Sequence, residues 1–339
     1  MAWPLPAAET TMVPRGTCRP GSRPMSGILD RVVERVVLEG HDGRSGARLE
    51  RVRLDDGTPL VVKYADPASD LSVALTGGVD RERLLWSSGV LDRLPAGVGH
   101  AIVEVFGRDG STVTVMRDLG DAVPGWKRTL TTAECDRILG ALTDLHREFT
   151  GQAPHGLVPL ETRLTLMSPQ VAGSRSGELP GAVLRGWELF AEIVEPSVAD
   201  AVFAVHGDPG PLATALRRSG STLLHADLWL VNLALPPDEV VLLDWALATE
   251  GPPALDLAIF LTGSAAHVEP GREDLISRFR SLGDVTAADI DLALLAGLVD
   301  HGWNKALDAA DHSDPVIRDR ERDDLAWWVE HGRAGLDRL

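Results

Sequence analysis

The chain has 339 residues, 44% of them hydrophobic and 24% charged, with a formal net charge of −17. That length suits one large or two ordinary domains. The acidic balance argues against non-specific nucleic-acid binding, and no apolar run is long enough for a transmembrane helix. Two cysteines, Cys18 and Cys135, give neither a disulfide framework nor a metal-ligand spacing, so a reducing cytoplasm fits. Residues 1–27 are rich in Pro, Gly, Ser and Thr without a period. They are expected to be a disordered leader or an over-long start, with Met12 or Met25 as the alternative first residue.

A strand at Val36–Leu38 runs into Gly40-His41-Asp42-Gly43-Arg44-Ser45-Gly46. Strand residues Ala47–Leu54, an Asp55-Asp56-Gly57 turn and strand residues Pro59–Tyr64 follow. Glycines let a backbone approach phosphates and present N–H groups to them, which makes Ser45 and Gly46 candidates for phosphate contact. Taken alone, such a stretch is more often only a turn. Lys63 sharpens the reading. It is one of three lysines, with Lys127 and Lys305, in a chain that otherwise uses arginine. A lysine on an apolar strand points to a need for a compact point charge. A helix is expected over Val79–Trp86, carrying Glu82. Ile102–Phe106 and Thr112–Met116 form a second hairpin, which leads to Arg117-Asp118-Leu119.

Thr131–Phe149 has helical apolar spacing at Ile138, Leu142, Leu145 and Phe149, with His146 as a packing or hydrogen-bonding histidine. Residues 151–221 alternate helical segments, such as Ala182–Val194 and Pro211–Arg218, with Pro/Gly breaks. Then comes the most informative stretch, Leu223–Trp245. Two apolar runs, Leu230–Leu235 and Val240–Leu243, flank Pro236-Pro237-Asp238-Glu239 and read as a short hairpin. His225, Asp227 and Asn232 lie at the start of the first arm and Asp244 at the end of the second. Oxygen ligands on a rigid turn suit Mg²⁺, which takes one or two carboxylates plus phosphate oxygens. A further Asp within reach of a hydroxyl suits phosphoryl transfer. Asparagine occurs only at Asn232 and Asn304, so its presence at the required spacing carries weight. A second H-x-D, His206-Gly207-Asp208, has Ala213 where the amide is needed and no Asp-Trp strand after it, and is set aside.

Gly251-Pro252-Pro253-Ala254-Leu255-Asp256-Leu257-Ala258 follows the hairpin. Ala287–His312 reads as a long helix holding Asp300-His301-Gly302-Trp303-Asn304-Lys305, where His301 shares a face with Asn304 and Lys305. Trp327-Trp328 are expected to pack on the core.

The pattern H-x-D-x-x-x-x-N followed by hydrophobic-D-W resembles the catalytic and metal-binding segments of the aminoglycoside phosphotransferase family and its choline-kinase-like relatives. It is a variant of the protein-kinase H-R-D…N and D-F-G set. The resemblance is strong over Leu223–Ala258, moderate at Lys63 and weak elsewhere. It implies an α+β, bilobal, protein-kinase-like fold. The small β-rich nucleotide-binding lobe would span residues 28–119 and the larger, mostly helical lobe residues 120–339.

Carried over to this sequence, Asp227 resembles the catalytic base, and Asn232 and Asp244 the Mg²⁺ ligands. Lys63 resembles the lysine that binds the α- and β-phosphates, held by Glu82. Arg117, Asp118 and Leu119 resemble the linker whose backbone holds the nucleobase. His225 and Asp256 are implied to be structural, Asp256 by accepting backbone N–H bonds. Pro252 stands where the family often has Asp. The family's C-terminal helices wall the acceptor, which makes His301, Trp303, Asn304 and Lys305 acceptor-site candidates. A Lys305 ammonium there would oppose a polycationic acceptor, whereas the −17 charge favours a cationic one, so the acceptor stays open.

The implied function is transfer of the γ-phosphate of ATP or GTP to a small-molecule hydroxyl, with an antibiotic-modifying resistance kinase as the leading version. The alternatives are a metabolic kinase for a sugar, amino sugar or amino alcohol, and a non-catalytic nucleotide-binding protein of the same fold. A protein kinase fits poorly, because no A-P-E segment or activation loop stands between Asp244 and Asp256.

Overall fold

The structure, a computed structural model, describes residues 27–38, 46–66, 70–126 and 128–339. The leader expected over 1–27, Gly27 apart, lies outside these residues. So does Ser45, with the part of the Gly-rich loop from Gly40 to Ser45.

Helix α1 (Gly27–Asp30) leads into strands β1 (Val32–Val37), β2 (Arg48–Leu54) and β3 (Pro59–Ala65). Helices α2 (Leu71–Leu75) and α3 (Arg81–Ser87) precede β4 (Val98–His100), β5 (Ile102–Arg108) and β6 (Ser111–Arg117). One antiparallel sheet runs in the order β1-β2-β3-β6-β5. Strand alternation decides which face each residue takes. Val52, Leu54, Leu60, Val62, Val113 and Val115 form one buried cluster, closed by Leu29 of α1. Lys63, one residue on from Val62, therefore turns to the opposite face. Helix α3 packs against β5 and β6. Its N-cap Asp80 accepts from the Arg83 amide at 2.9 Å, which starts the helix two residues later than expected and leaves Glu82 in its first turn.

The rest of the chain is mostly helical. It comprises α4 (Thr132–Glu148), α5 (Leu160–Thr165), α6 (Pro169–Gly173), α7 (Glu178–Ile193), α8 (Pro196–Gly207) and α9 (Gly210–Arg217). The short strands β7 (Thr222–Leu224), β8 (Leu233–Ala234), β9 (Val240–Leu242) and β10 (Thr249–Gly251) follow. Helices α10 (Pro253–Ser264), α11 (Arg272–Leu282), α12 (Ala287–Asp311) and α13 (Pro315–Leu336) complete it. Capping boxes at Thr131/Glu134 and Thr286/Asp289 start α4 and α12. Ile138, Leu142, Leu145 and Phe149 are fully buried, as their spacing predicts. Each such side chain contributes about 1.5–3 kcal/mol. Helix α12 is central, packing on α7, α10 and α13. Gly186 lets α7 approach the Trp303 carbonyl, where a Cβ would collide with backbone.

The expected hairpin forms, but it is shorter than its apolar runs. β8 and β9 pair antiparallel through Leu233↔Leu242 and Ala234↔Val241. Leu230–Asn232 is a 3₁₀ turn instead of strand. The cause is Asn232, whose amide donates to the Asp227 carbonyl at 2.9 Å and its carboxylate at 2.8 Å and so curls the chain back. β9 also pairs parallel with β4, tying the hairpin to the β-rich region. The second H-x-D is structural. His206 bonds the Val299 carbonyl at 2.8 Å, and exposed Asp208 caps the Gly210 amide at 3.0 Å.

Candidate active site

The loop after β7 is held from several sides. Buried Asp256, in the first turn of α10, accepts the backbone N–H of His225 at 3.1 Å and of Ala226 at 2.8 Å. The same carboxylate meets His146 Nε2 at 2.9 Å. His225, fully buried and pushed by burial towards its neutral form, bonds the Leu243 carbonyl at 2.8 Å through Nε2. It thereby couples the Asp227 loop to the residue before Asp244. Both Ala226 (φ +61°) and Asp244 (φ +57°) are left-handed, a conformation that side chains with a Cβ adopt only where the surroundings impose it.

Across the cleft, Lys63 Nζ lies 3.1 Å from Glu82 and 2.8 Å from Asp244. Lys63 and Glu82 are buried, while the Asp244 side chain keeps about a third of its surface open (32%). Burial alone would pull the lysine pKa down, but the two carboxylates outweigh it and hold the ammonium charged. One ammonium cannot fully neutralise two acids. The nearer Asp244 is lowered, because Lys63 overcomes its burial. Glu82 is pushed up to about 7, by burial first and against the pull of Lys63.

Asp227 is also pushed up to about 7, by burial and by the Asp244 charge, against the pull of Arg163. That lies in the range where a carboxylate can accept a proton near neutrality. With its amide nitrogen turned to Asp227, Asn232 has its Oδ1 free of hydrogen bonds among the described residues. Leu243 N bonds the Asn232 carbonyl at 2.8 Å, so Asp244 stands one residue from Asn232 across the hairpin. An amide oxygen and a carboxylate, both hard donors, fit a Mg²⁺ ion that completes its shell with phosphate and water.

Several contacts here were not found from the sequence. Arg163 of α5 donates to the Ala226 carbonyl from Nε at 3.1 Å and from Nη2 at 2.9 Å. Its Nη1 meets Asp300 of α12 at 2.5 Å. Trp229, two residues past Asp227, joins an aromatic group. Its ring centroid lies 5.9 Å from Trp126 and 5.2 Å from His301, and Trp126 lies 5.4 Å from His267. Arginine is abundant in this chain, so Arg163 carried no compositional signal, and these rings meet only in three dimensions.

Of the four acceptor-site candidates, the structure brings His301 to this aromatic group. Trp303 is instead buried against α7. Lys305 is buried and bridges Asp324 at 2.5 Å and Glu321 at 3.3 Å on α13, so its charge is spent inside the fold. The argument that Lys305 opposes a cationic acceptor loses its basis. Asn304 is half-buried. In the linker, Arg117 pairs with Glu239 at 2.9 Å and bonds the His100 carbonyl at 2.7 Å. Asp118 pairs with Arg51 at 2.7 Å, and Leu119 packs on Ala101, Ala234 and Val241. Gly46, at φ +84°, is the described end of the Gly-rich loop.

The β-rich sheet region joined to a mostly helical region is a kinase-like fold, that of an enzyme transferring phosphate to hydroxyl acceptors. The chain belongs to the phosphotransferase enzyme family APH, whose model matches residues 41–289. Among solved structures it is similar to choline kinase LicA from Streptococcus pneumoniae, with 15% identity, 89% of this chain and 95% of that one covered, and a TM-score of 0.51. It is also similar to an aminoglycoside phosphotransferase from Alicyclobacillus acidocaldarius subsp. acidocaldarius DSM 446 (16% identity, 94% and 96% covered, TM-score 0.46). A third is macrolide 2'-phosphotransferase MphH from Brachybacterium faecium (18% identity, 86% and 91% covered, TM-score 0.41). The first of these supports the fold. A search of curated proteins matched none. Among the described residues, no helix is long and apolar enough to cross a membrane.

Proposed function

We propose that this enzyme moves the γ-phosphate of ATP or GTP to a hydroxyl of a small molecule, and that the acceptor is an antibiotic. The observation that carries the transfer chemistry is Lys63 held between Glu82 and Asp244, residues brought together from a strand, a helix and the end of the hairpin. Lys63 neutralises donor phosphates, and Glu82 keeps it in place. Asn232 and Asp244 hold Mg²⁺, which supplies charge neutralisation at the phosphate oxygens. Asp227 orients the acceptor hydroxyl and takes its proton. The backbone at Ser45 and Gly46 and that of Arg117 to Leu119 contact the phosphates and the base. The N-terminal nucleotide lobe spans 28–119 and the catalytic lobe 120–339.

Trp126, Trp229, His267 and His301 wall the acceptor beside Asp227. With Lys305 withdrawn between Glu321 and Asp324, the chain's −17 charge supports an acceptor bearing amines. The test is a phosphate-transfer screen. Purified protein, Mg²⁺ and ATP or GTP are mixed with aminoglycosides, peptide and nucleoside antibiotics, sugars, amino sugars and amino alcohols, and mass spectrometry follows the gain of one phosphate. A hit among antibiotics is expected. A hit confined to sugars or amino alcohols would make the enzyme a metabolic kinase.

A further inference from the structure

Ala226, the residue before Asp227, is held in a left-handed conformation from both ends. Its N–H is taken by Asp256 and its carbonyl by two N–H groups of one guanidinium, that of Arg163. That carbonyl belongs to the peptide linking Ala226 to Asp227, so whatever fixes it also fixes the plane from which the Asp227 side chain departs. Arg163 is in turn fixed by Asp300. Arg163 is 3% exposed and Asp300 4%, so water cannot replace either partner, and an unmade bond there carries its full cost. Three separate nitrogens of one rigid plane are used, Nε and Nη2 on the Ala226 carbonyl and Nη1 on Asp300, a geometry that the single nitrogen of a lysine cannot reproduce.

We infer that Arg163 and Asp300 are a positioning pair for phosphate transfer, acting through the Ala226 carbonyl to set the Asp227 carboxylate towards the acceptor hydroxyl. The inference rests on the reading of Asp227 as the group that orients that hydroxyl. The pair reaches the loop at the peptide that leads into Asp227. Through α12 it also links that peptide to His301, the next residue after Asp300. Small displacements of a reacting group cost about a hundredfold in rate, so loss of the fork reads out in turnover and leaves nucleotide binding unaffected.

The experiment is a double-mutant cycle on the full chain, with Mg²⁺ and ATP and with water as the hydroxyl. The variants Arg163→Lys, Asp227→Asn and their combination are compared by kcat and KM for nucleotide hydrolysis. Arg163→Lys alone should lower kcat by about tenfold to a hundredfold and change the KM for ATP by less than about twofold. In the Asp227→Asn background it should change kcat by less than about twofold, since groups acting through one another are non-additive. An equal loss in both backgrounds would show general structural damage and overturn the inference, as would an unchanged kcat in the wild-type background. If Asp227→Asn alone leaves hydrolysis intact, the reading of Asp227 itself falls, a result distinct from either of these. Asp300→Asn keeps the guanidinium but removes the charge that anchors it. It repeats the cycle with the same expectation if Arg163→Lys does not fold.

Discussion

Replacing Asp256 with alanine tests how the catalytic loop is held. The carboxylate is fully buried and takes three donors, the amides of His225 and Ala226 and the ring nitrogen of His146. Each hydrogen bond to a charged group is worth about 1.5–3 kcal/mol, so a rigid loop would lose about 4.5–9 kcal/mol, a large share of a folded protein's usual stability. Relaxation and water entry reduce this. Breaking a buried charged pair typically costs about 3–5 kcal/mol, and that range is expected for Asp256→Ala. Asp256→Asn keeps one acceptor oxygen but turns an NH₂ towards a donor, and should lose about 1–3 kcal/mol. The assay is urea unfolding followed by tryptophan fluorescence, in which the midpoint falls while the slope stays constant. Nucleotide turnover should fall with it, because Asp256 holds the amides of the two residues before Asp227. A loss under about 1 kcal/mol with turnover intact would refute the bracing role.

Other consequences can be checked alongside. Lys63→Ala leaves Glu82 and Asp244 facing each other without a cation, and should weaken ATP binding by about tenfold or more, measured by calorimetry. His301→Ala should raise the acceptor KM and leave the nucleotide KM unchanged. By contrast, Lys305→Met should leave acceptor kinetics unchanged and lower stability by about 1–3 kcal/mol, since Glu321 and Asp324 lose their shared buried cation but keep Arg320 and Arg272. Asp300 is held at about 2, below its usual 3.8, because Arg163 and His301 outweigh its burial. A depressed acid binds fewer protons folded than unfolded. Its stabilisation is therefore full above about pH 4 and is lost as pH falls towards 2. The unfolding free-energy difference between wild type and Asp300→Asn should shrink by about 1 kcal/mol between pH 5 and pH 3.

What could be read from the residues was what local spacing encodes. The Asp227-to-Asn232 interval, the arms closing on Asp244 and the apolar stripe of α4 are short-range patterns, and each appears at its expected place. Lys63 stood out because lysine is rare here. Asp256 was read as an acceptor of backbone amides, and it bonds those of His225 and Ala226. The same rarity misdirected the reading of Lys305, since scarcity marks a residue as unusual without naming its partner. Its partners, Glu321 and Asp324, sit on another helix among many acids. Arg163 and Trp229 went unnoticed for a related reason. Arg163 meets Asp300 across 137 positions, and no spacing rule spans that distance. The strand lengths near Asn232 were overestimated because a side chain, not the backbone propensity of Leu230–Leu235, sets the turn there.

The most direct test of the central claim is phosphate transfer itself. Wild-type protein and Asp227→Asn are each incubated with Mg²⁺, isotopically labelled ATP or GTP and the antibiotic panel, and the label is followed. The account predicts one labelled phosphate on an acceptor hydroxyl with the wild type and a loss of about a hundredfold or more with Asp227→Asn. Equal transfer by both proteins, or nucleotide binding with neither transfer nor hydrolysis, would contradict it.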